Sequence, residues 1–281
     1  MKREIPDIAL TLTPGIGPKG AVHLLDVFGS AEAVFSASAD ELTEKARLRP
    51  ELARAILQKK AFADAEREVK HCRKHGIEII ASTDAQYPAL LRETADYPHI
   101  LYVLGSPEAL GKTTLTMVGT RRMTPYGQQM ADRLIGELAD RVADTVIVSG
   151  LAFGIDTACH RAALAFGMPT VGIIASALPG ITPAQHTAVA RDTECKKRDQ
   201  CSAGNRVVGA FCRCDSLNRA VTEFFFMSGH IFRYIIAEPG CHGSAGTRND
   251  SDDDTDDGRE QRRAGHALVL VLCDLSVIHD L

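Results

Sequence analysis

Two adjacent arginines follow an apolar run and could bind an anion. Arg121 and Arg122 come directly after the residues 115–118, Gly119 and Thr120. Guanidinium groups bind phosphate through charge-assisted hydrogen bonds, and a turn that opens onto a helix adds free backbone N–H groups. The pattern therefore predicts an anion site with Arg121 as its first contact. Arg122 is the weaker candidate, and a solvated surface position is the alternative interpretation of both.

A second loop of small residues, Ser149 to Gly154, follows another apolar run. The hydroxyl of Ser149 can donate a hydrogen bond to an anion. Gly150 and Gly154 allow a backbone or a ligand to approach closely, because neither carries a side chain. We therefore predict that this loop belongs to the same anion site.

Asp156 and His160 suggest acid–base chemistry but are better explained by structural roles. They lie four residues apart, so they share one face of a helix and could pair. No G-x-S-x-G string supplies a nucleophile beside them. A carboxylate would also repel a bound phosphate, so we expect Asp156 to cap its helix or to hold Arg121. We assign no catalytic residue.

These residues need elements that bring the loops together. Three short apolar runs, at 115–119, 147–149 and 169–176, end in small residues and are separated by segments with helical periodicity. This pattern predicts a parallel βαβαβ unit, in which the loops after the strands gather at one edge of the sheet. Open α/β sheets bind their ligands at that edge.

The strings 117–127 (MVGTRRMTPYG) and 148–164 (VSGLAFGIDTACHRAAL) resemble the core of the DNA-processing protein A family, also called DprA or Smf. Strings at 87–91, 96–105 and 181–186 extend this resemblance to residues 77–191. The resemblance implies a Rossmann-like fold and a single-stranded DNA-binding protein of natural transformation that loads the RecA recombinase, with no cofactor and no catalysed reaction. It also implies a homodimer. The implied DNA-binding residues are Gly119, Arg121, Arg122, Ser149, Gly150 and Gly154, with Asp156 and His160 as structural residues.

Three regions are expected in this α/β chain. Residues 1–76 have helical periodicity, and the segment 14–20 (PGIGPKG) is typical either of a helix-hairpin-helix that meets a DNA phosphate or of a plain connector. Residues 77–191 form the Rossmann-like core. Residues 192–281 depart from the family pattern and are interpreted as a frame-shifted or a diverged remainder. Within them, the acidic segment 243–263 predicts disorder, because it has little to bury.

Composition restricts the partners. The chain has 281 residues and a net charge of −4, which argues against a generally basic surface and leaves a local patch for nucleic acid. It has neither a run of about 18 apolar residues nor a signal-type segment, so we expect a cytoplasmic protein without a membrane span. Eight cysteines without a C-x-x-C pair predict free thiols and no metal site.

Two alternatives to DNA binding remain. A nucleotide-processing enzyme of the lysine-decarboxylase-like type would have a related fold, but it needs a PGG.GT..E string. Residues 239–247 only loosely match that string, and Asp250 stands where the glutamate should be. The other alternative is a non-functional, truncated remnant.

Overall fold

The computed structural model describes residues 4–94, 96–142, 144–174, 177–181, 184–193, 208–211, 234–235 and 269–273. The helices are α1 (Glu4–Leu12), α2 (Pro18–Phe28), α3 (Ala31–Ser36), α4 (Ala39–Glu44), α5 (Pro50–Leu57), α6 (Ala61–His75), α7 (Ala89–Arg92), α8 (Pro125–Arg141), α9 (Ile155–Ala165) and α10 (Thr187–Thr193). The strands are β1 (Ile77–Ala81), β2 (Ile100–Leu104), β3 (Thr114–Gly119), β4 (Val146–Ser149), β5 (Thr170–Ile174), β6 (Val208–Phe211), β7 (Tyr234–Ile235) and β8 (Val269–Cys273).

Residues at the helix ends explain where the amino-terminal helices begin and stop. Pro18 occupies the first turn of α2, where a missing N–H costs nothing. The Ser38 hydroxyl accepts from the backbone N–H of Glu41 at 3.1 Å, and Glu41 returns the bond, which makes a capping box for α4. Gly76, at φ +67°, ends α6 in the left-handed conformation. Six helices therefore precede the first strand.

The hairpin between α1 and α2 has a structural role whichever of its two interpretations applies. Ile16 is buried, and Gly15 has φ +84° with Leu52 packed against it. The side chain of Lys19, in the first turn of α2, is exposed and lies 3.8 Å from Asp96. Phosphate binding by this hairpin stays a prediction.

The eight strands form one sheet in the order β1-β2-β6-β5-β4-β3-β8-β7. β3, β4, β5 and β6 are parallel, β2 is antiparallel to β1 and β6, and β8 is antiparallel to β3 and β7. The predicted parallel βαβαβ unit, β3-α8-β4-α9-β5, is confirmed. Helices α8 and α9 cover one face of it, with Met117, Ile135, Ile147 and Ile155 fully buried between the layers.

Three of the described strands, β6, β7 and β8, come from residues 192–281, the region that departs from the family pattern. β6 lies between β2 and β5, and β8 extends the other side of the sheet next to β3. The predicted disordered segment 243–263 lies outside the described residues. The choice between a frame-shifted and a diverged remainder stays a prediction.

A buried hydrogen-bond network joins the amino-terminal helices to the sheet. Nε2 of His99 lies 3.0 Å from Oδ1 of Asp7 on α1, and Nδ1 of His99 lies 2.8 Å from the hydroxyl of Ser82. The order of groups is that of a Ser-His-Asp triad. All three residues are at most 9% exposed, so the serine is not accessible to a substrate and the network has a structural role.

Replacing Asp7 with alanine should lower the free energy of unfolding by about 2 kcal/mol, because it leaves a buried histidine nitrogen without its partner. Urea denaturation measures this loss. Asp64→Ala, which removes an exposed ion pair with Arg67, is the matched control and should cost less than about 1 kcal/mol. Equal losses in the two variants would show that the buried pair has no special role.

Candidate nucleic-acid interface

Two loops meet at the carboxyl edge of the parallel strands. The first, residues 120–124, joins β3 to α8, and the second, residues 150–154, joins β4 to α9. Thr124 caps α8 by accepting from the backbone N–H of Gly127 at 3.2 Å, and Pro125 starts the helix. Because both helices begin at this edge, the positive ends of two helix dipoles point toward the same surface.

Arg121 and Arg122 are both exposed on the first loop. The turn that carries them is held by Thr120, whose hydroxyl oxygen accepts from the backbone N–H of Arg122 at 3.1 Å. In the part of the chain that the structure describes, neither guanidinium is engaged in an ion pair. The edge therefore presents two positive charges to solvent.

The two loops are packed backbone against backbone at Gly154. Gly154 has φ +85°, and a methyl group there would collide with the carbonyl oxygen of Thr120 and lie 2.8 Å from the carbonyl carbon and oxygen of Arg121. The next residue, Ile155, donates its N–H to the same Thr120 oxygen at 3.1 Å. The sequence allows either a backbone or a ligand to approach Gly154 closely, and here the protein's own backbone does so.

Asp156 lies behind the two loops and is largely buried. Burial raises the pKa of its carboxyl, while hydrogen bonds with the backbone N–H of Ala152, the side chain of Ser149 and the backbone N–H groups of Gly119 and Gly150 oppose that change. A methyl group at Gly150 would lie 2.8 Å from Oδ2 of this carboxylate. Asp156 thus accepts from the loop before its own helix and from the end of β3. The sequence instead predicts a cap of α9 or a partner for Arg121.

Ser149 differs from its prediction as an anion donor. It is fully buried, and its hydroxyl donates to the carbonyl oxygen of Met117 in β3 at 2.7 Å. This bond holds β4 against β3 at the point where both loops leave the sheet, and the same side chain also interacts with the carboxyl of Asp156.

His160 is fully buried and pairs with β5, whereas the sequence suggests that it pairs with Asp156. Its Nδ1 lies 2.7 Å from the hydroxyl of Thr170, which donates its own proton to the carbonyl of Ile147. Nδ1 must therefore carry the proton, and Nε2 is left buried with no hydrogen-bond partner among the described residues. Burial, and to a smaller extent the nearby His186, lowers the pKa of His160 to about 4.

Phe153 and His186 also lie at this edge, although the sequence motifs assign neither residue to the site. His186 Nδ1 lies 2.6 Å from the carbonyl oxygen of Leu151, and its ring meets that of Phe153 edge to face, with 4.7 Å between the centroids. Phe153 remains 47% exposed. A large apolar side chain in a loop of small residues is the signal that could have identified it.

The sequence also predicts the absence of a membrane span and of a metal site. No helix among the described residues is long and apolar enough to cross a membrane. Within the same residues, no cluster of three histidine, cysteine or acidic side chains could hold a metal ion. Cys72 and Cys159 are buried, free thiols, and burial raises the pKa of each to about 12.

The fold and the edge define a Rossmann-like α/β protein with a cationic loop pair at the carboxyl ends of its parallel strands. Residues 78–199 match the model of the DNA recombination-mediator protein A family. The match covers less than half of the chain, and it falls on the region whose motifs resemble the DprA/Smf family.

Named relatives match over a similar length of the chain. The DNA processing protein DprA of Bacillus subtilis is 36% identical over 119 residues, which are 42% of this chain and 39% of that protein. Protein Smf of Escherichia coli is 35% identical over 112 residues, or 40% of this chain and 29% of that protein. The chain therefore matches well under half of the length of either relative.

A solved structure shows the fold over a longer range. The X-ray structure of DprA from Streptococcus pneumoniae superposes with a TM-score of 0.55 and 22% sequence identity. The superposition covers 75% of this chain and 68% of that one. The likeness extends beyond residues 78–199 and supports the Rossmann-like architecture.

Proposed function

We propose that this protein binds single-stranded DNA in DNA uptake and processing, through the exposed arginines at the carboxyl edge of β3. One observation supports this proposal more strongly than the others. Arg121 and Arg122 stand on a fixed turn, exposed and without an ion-pair partner in the described chain, where two helix N-termini converge. Such a surface attracts a chain of phosphates.

The rest of the edge positions these charges. Ser149, Gly150 and Asp156 tie the second loop to the sheet, and Gly154 presses that loop against the backbone of Arg121. We infer that Gly119, Ser149, Gly150 and Gly154 contribute to DNA binding mainly by fixing the arginines. The arginines themselves contact phosphate.

We propose further that the bound strand is passed to the RecA recombinase, that the protein acts as a homodimer, and that it catalyses no reaction. The description of the family as recombination mediators supports the first of these. The burial of Asp156 and His160 supports the last, because neither group is placed to exchange a proton with a substrate.

Arg121→Ala should weaken the binding of single-stranded DNA equally for different sequences and reduce the slope of log affinity against log salt by about one, as loss of one phosphate contact does. Fluorescence anisotropy with a labelled oligothymidylate at several salt concentrations measures both quantities. Arg133→Ala is the matched control, because Arg133 is an exposed arginine on α8 that pairs with Glu137.

Two outcomes would contradict the proposal. Wild-type protein that binds no single strand at low salt would reject the DNA-binding function. An unchanged salt slope in a folded Arg121→Ala protein would remove Arg121 from the site. Release of a free base or a sugar phosphate from nucleoside monophosphates would instead favour the nucleotide-processing alternative.

A further inference from the structure

We propose that Phe153 is a stacking platform for an unpaired base of the strand that Arg121 holds by its phosphate. The inference rests on the proposed function. It adds that the site contacts a base of the DNA as well as its phosphates. Its starting point is the exposure of Phe153, which is 47% in a loop otherwise made of small or buried residues.

The ring of Phe153 is held in place although it is exposed. His186 meets it edge to face, with an angle of 67° between the ring planes. His186 is itself buried and fixed by the Leu151 carbonyl and by the hydroxyl of Thr157, 3.3 Å away. A side chain that is already ordered loses little conformational entropy when a ligand packs on it, which favours binding.

The backbone places Phe153 next to the cationic turn. Its neighbour in sequence, Gly154, is in direct contact with the backbone of Thr120 and Arg121. An exposed aromatic ring and two exposed guanidinium groups therefore share one edge of the sheet. This combination is the one that proteins use for single strands, where cations follow the backbone and aromatic rings take the bases.

The chemistry selects an unpaired base over a paired one. In a duplex the faces of the bases are covered by their stacked neighbours, so an isolated aromatic side chain has nothing to stack on. Each base of a single strand has a free face, and its stacking tolerates different sequences. Phe153 thus gives the site a preference for single strands that arginine–phosphate contacts alone do not supply.

The chain offers a clean spectroscopic test, since it contains no tryptophan. Phe153→Trp introduces a single tryptophan at the proposed platform, and stacking with a base should quench the emission of that tryptophan. Phe166→Trp is the matched control. Phe166 is 50% exposed but follows the carboxyl end of α9, about 16 Å along the helix from the loop.

The expected result is quenching of Phe153→Trp by an oligothymidylate and no quenching by an abasic strand of equal length. Phe166→Trp should respond to neither strand. In anisotropy, Phe153→Leu should bind the oligothymidylate about tenfold more weakly with an unchanged salt slope, and it should bind the abasic strand as the wild type does.

Three results would overturn the inference while leaving the proposed function intact, provided that the wild type binds DNA and Arg121→Ala weakens it. In the first, Phe153→Leu binds the oligothymidylate as tightly as the wild type does. In the second, this variant binds the oligothymidylate and the abasic strand more weakly than the wild type by the same factor. In the third, the oligothymidylate quenches the emission of Phe153→Trp and Phe166→Trp equally. Failure of the wild type to bind any single strand would instead reject the proposed function and this inference together.

Discussion

Replacing Gly154 with alanine is expected to lower the free energy of unfolding by about 3 kcal/mol or more. The residue has φ +85° and ψ −129°, a conformation that is essentially restricted to glycine and costs about 1–3 kcal/mol for other residues. The new methyl group would also overlap the carbonyl oxygen of Thr120. Overpacking of this kind costs a further 1–3 kcal/mol, because the backbone must move.

Urea denaturation followed by circular dichroism measures the effect. Gly111→Ala is the control, since a methyl group at Gly111 would meet nothing within 4 Å and its φ is not positive. We expect that control to change stability by less than about 0.5 kcal/mol. A Gly154→Ala protein as stable as the wild type would mean that the two loops are not packed against each other in solution.

The same variant separates the two roles that the sequence assigns to Gly154. If its only role were to let DNA approach, alanine would reduce affinity and leave stability unchanged. The contact of Gly154 with Thr120 and Arg121 predicts instead that alanine lowers the stability of the protein. Any loss of DNA affinity would then be a consequence of the weakened fold.

The sequence predicts the parallel unit well because its signals are local. Apolar runs that end in small residues define β3, β4 and β5, and helical periodicity defines α8 and α9. Gly76 marks the end of α6 for an equally local reason, since it takes a positive φ there. The position of the candidate edge follows directly from the parallel order of the strands.

The partners of individual polar groups could not be predicted in this way. Ser149 donates to Met117, 32 residues away in sequence, and Asp7 pairs with His99 over 92 residues. Each pairing depends on which elements become neighbours in space. Spacing along a helix suggests that His160 pairs with Asp156, but it cannot show that Thr170 on β5 lies closer to the imidazole.

A common pattern connects these differences. Side chains that appear, from sequence, ready to bind a ligand are used to hold the two loops, while the exposed groups Arg121 and Phe153 are left at the surface. A glycine-rich loop needs such internal bonds, because its backbone has no side chains to pack. Preorganisation of this kind reduces the entropy that binding must overcome.

His160 should make the protein less stable as the pH falls from about 6.5 to about 4. Its pKa in the folded protein is about 4, against 6.5 for an unperturbed histidine, because burial disfavours the charged imidazole. Within this window the unfolded chain binds a proton that the folded chain does not, so acid favours unfolding. The stability is fully present above pH 6.5, and about 3 kcal/mol of it is lost by pH 4.

Comparison with His160→Asn isolates this contribution from the other titrating groups. The asparagine amide does not titrate in this range and can donate to Thr170 in place of Nδ1. Asp156 acts in the opposite direction, since its raised pKa makes the folded state gain protons on acidification, but it is present in both proteins and cancels in the comparison. Free energies of unfolding from urea titrations at pH 7 and pH 4 should therefore fall by about 3 kcal/mol more in the wild type than in His160→Asn. Parallel decreases in the two proteins would mean that the imidazole at position 160 takes up a proton in the folded protein as readily as in the unfolded chain. The assignment of a buried, neutral ring between α9 and β5 would then be wrong.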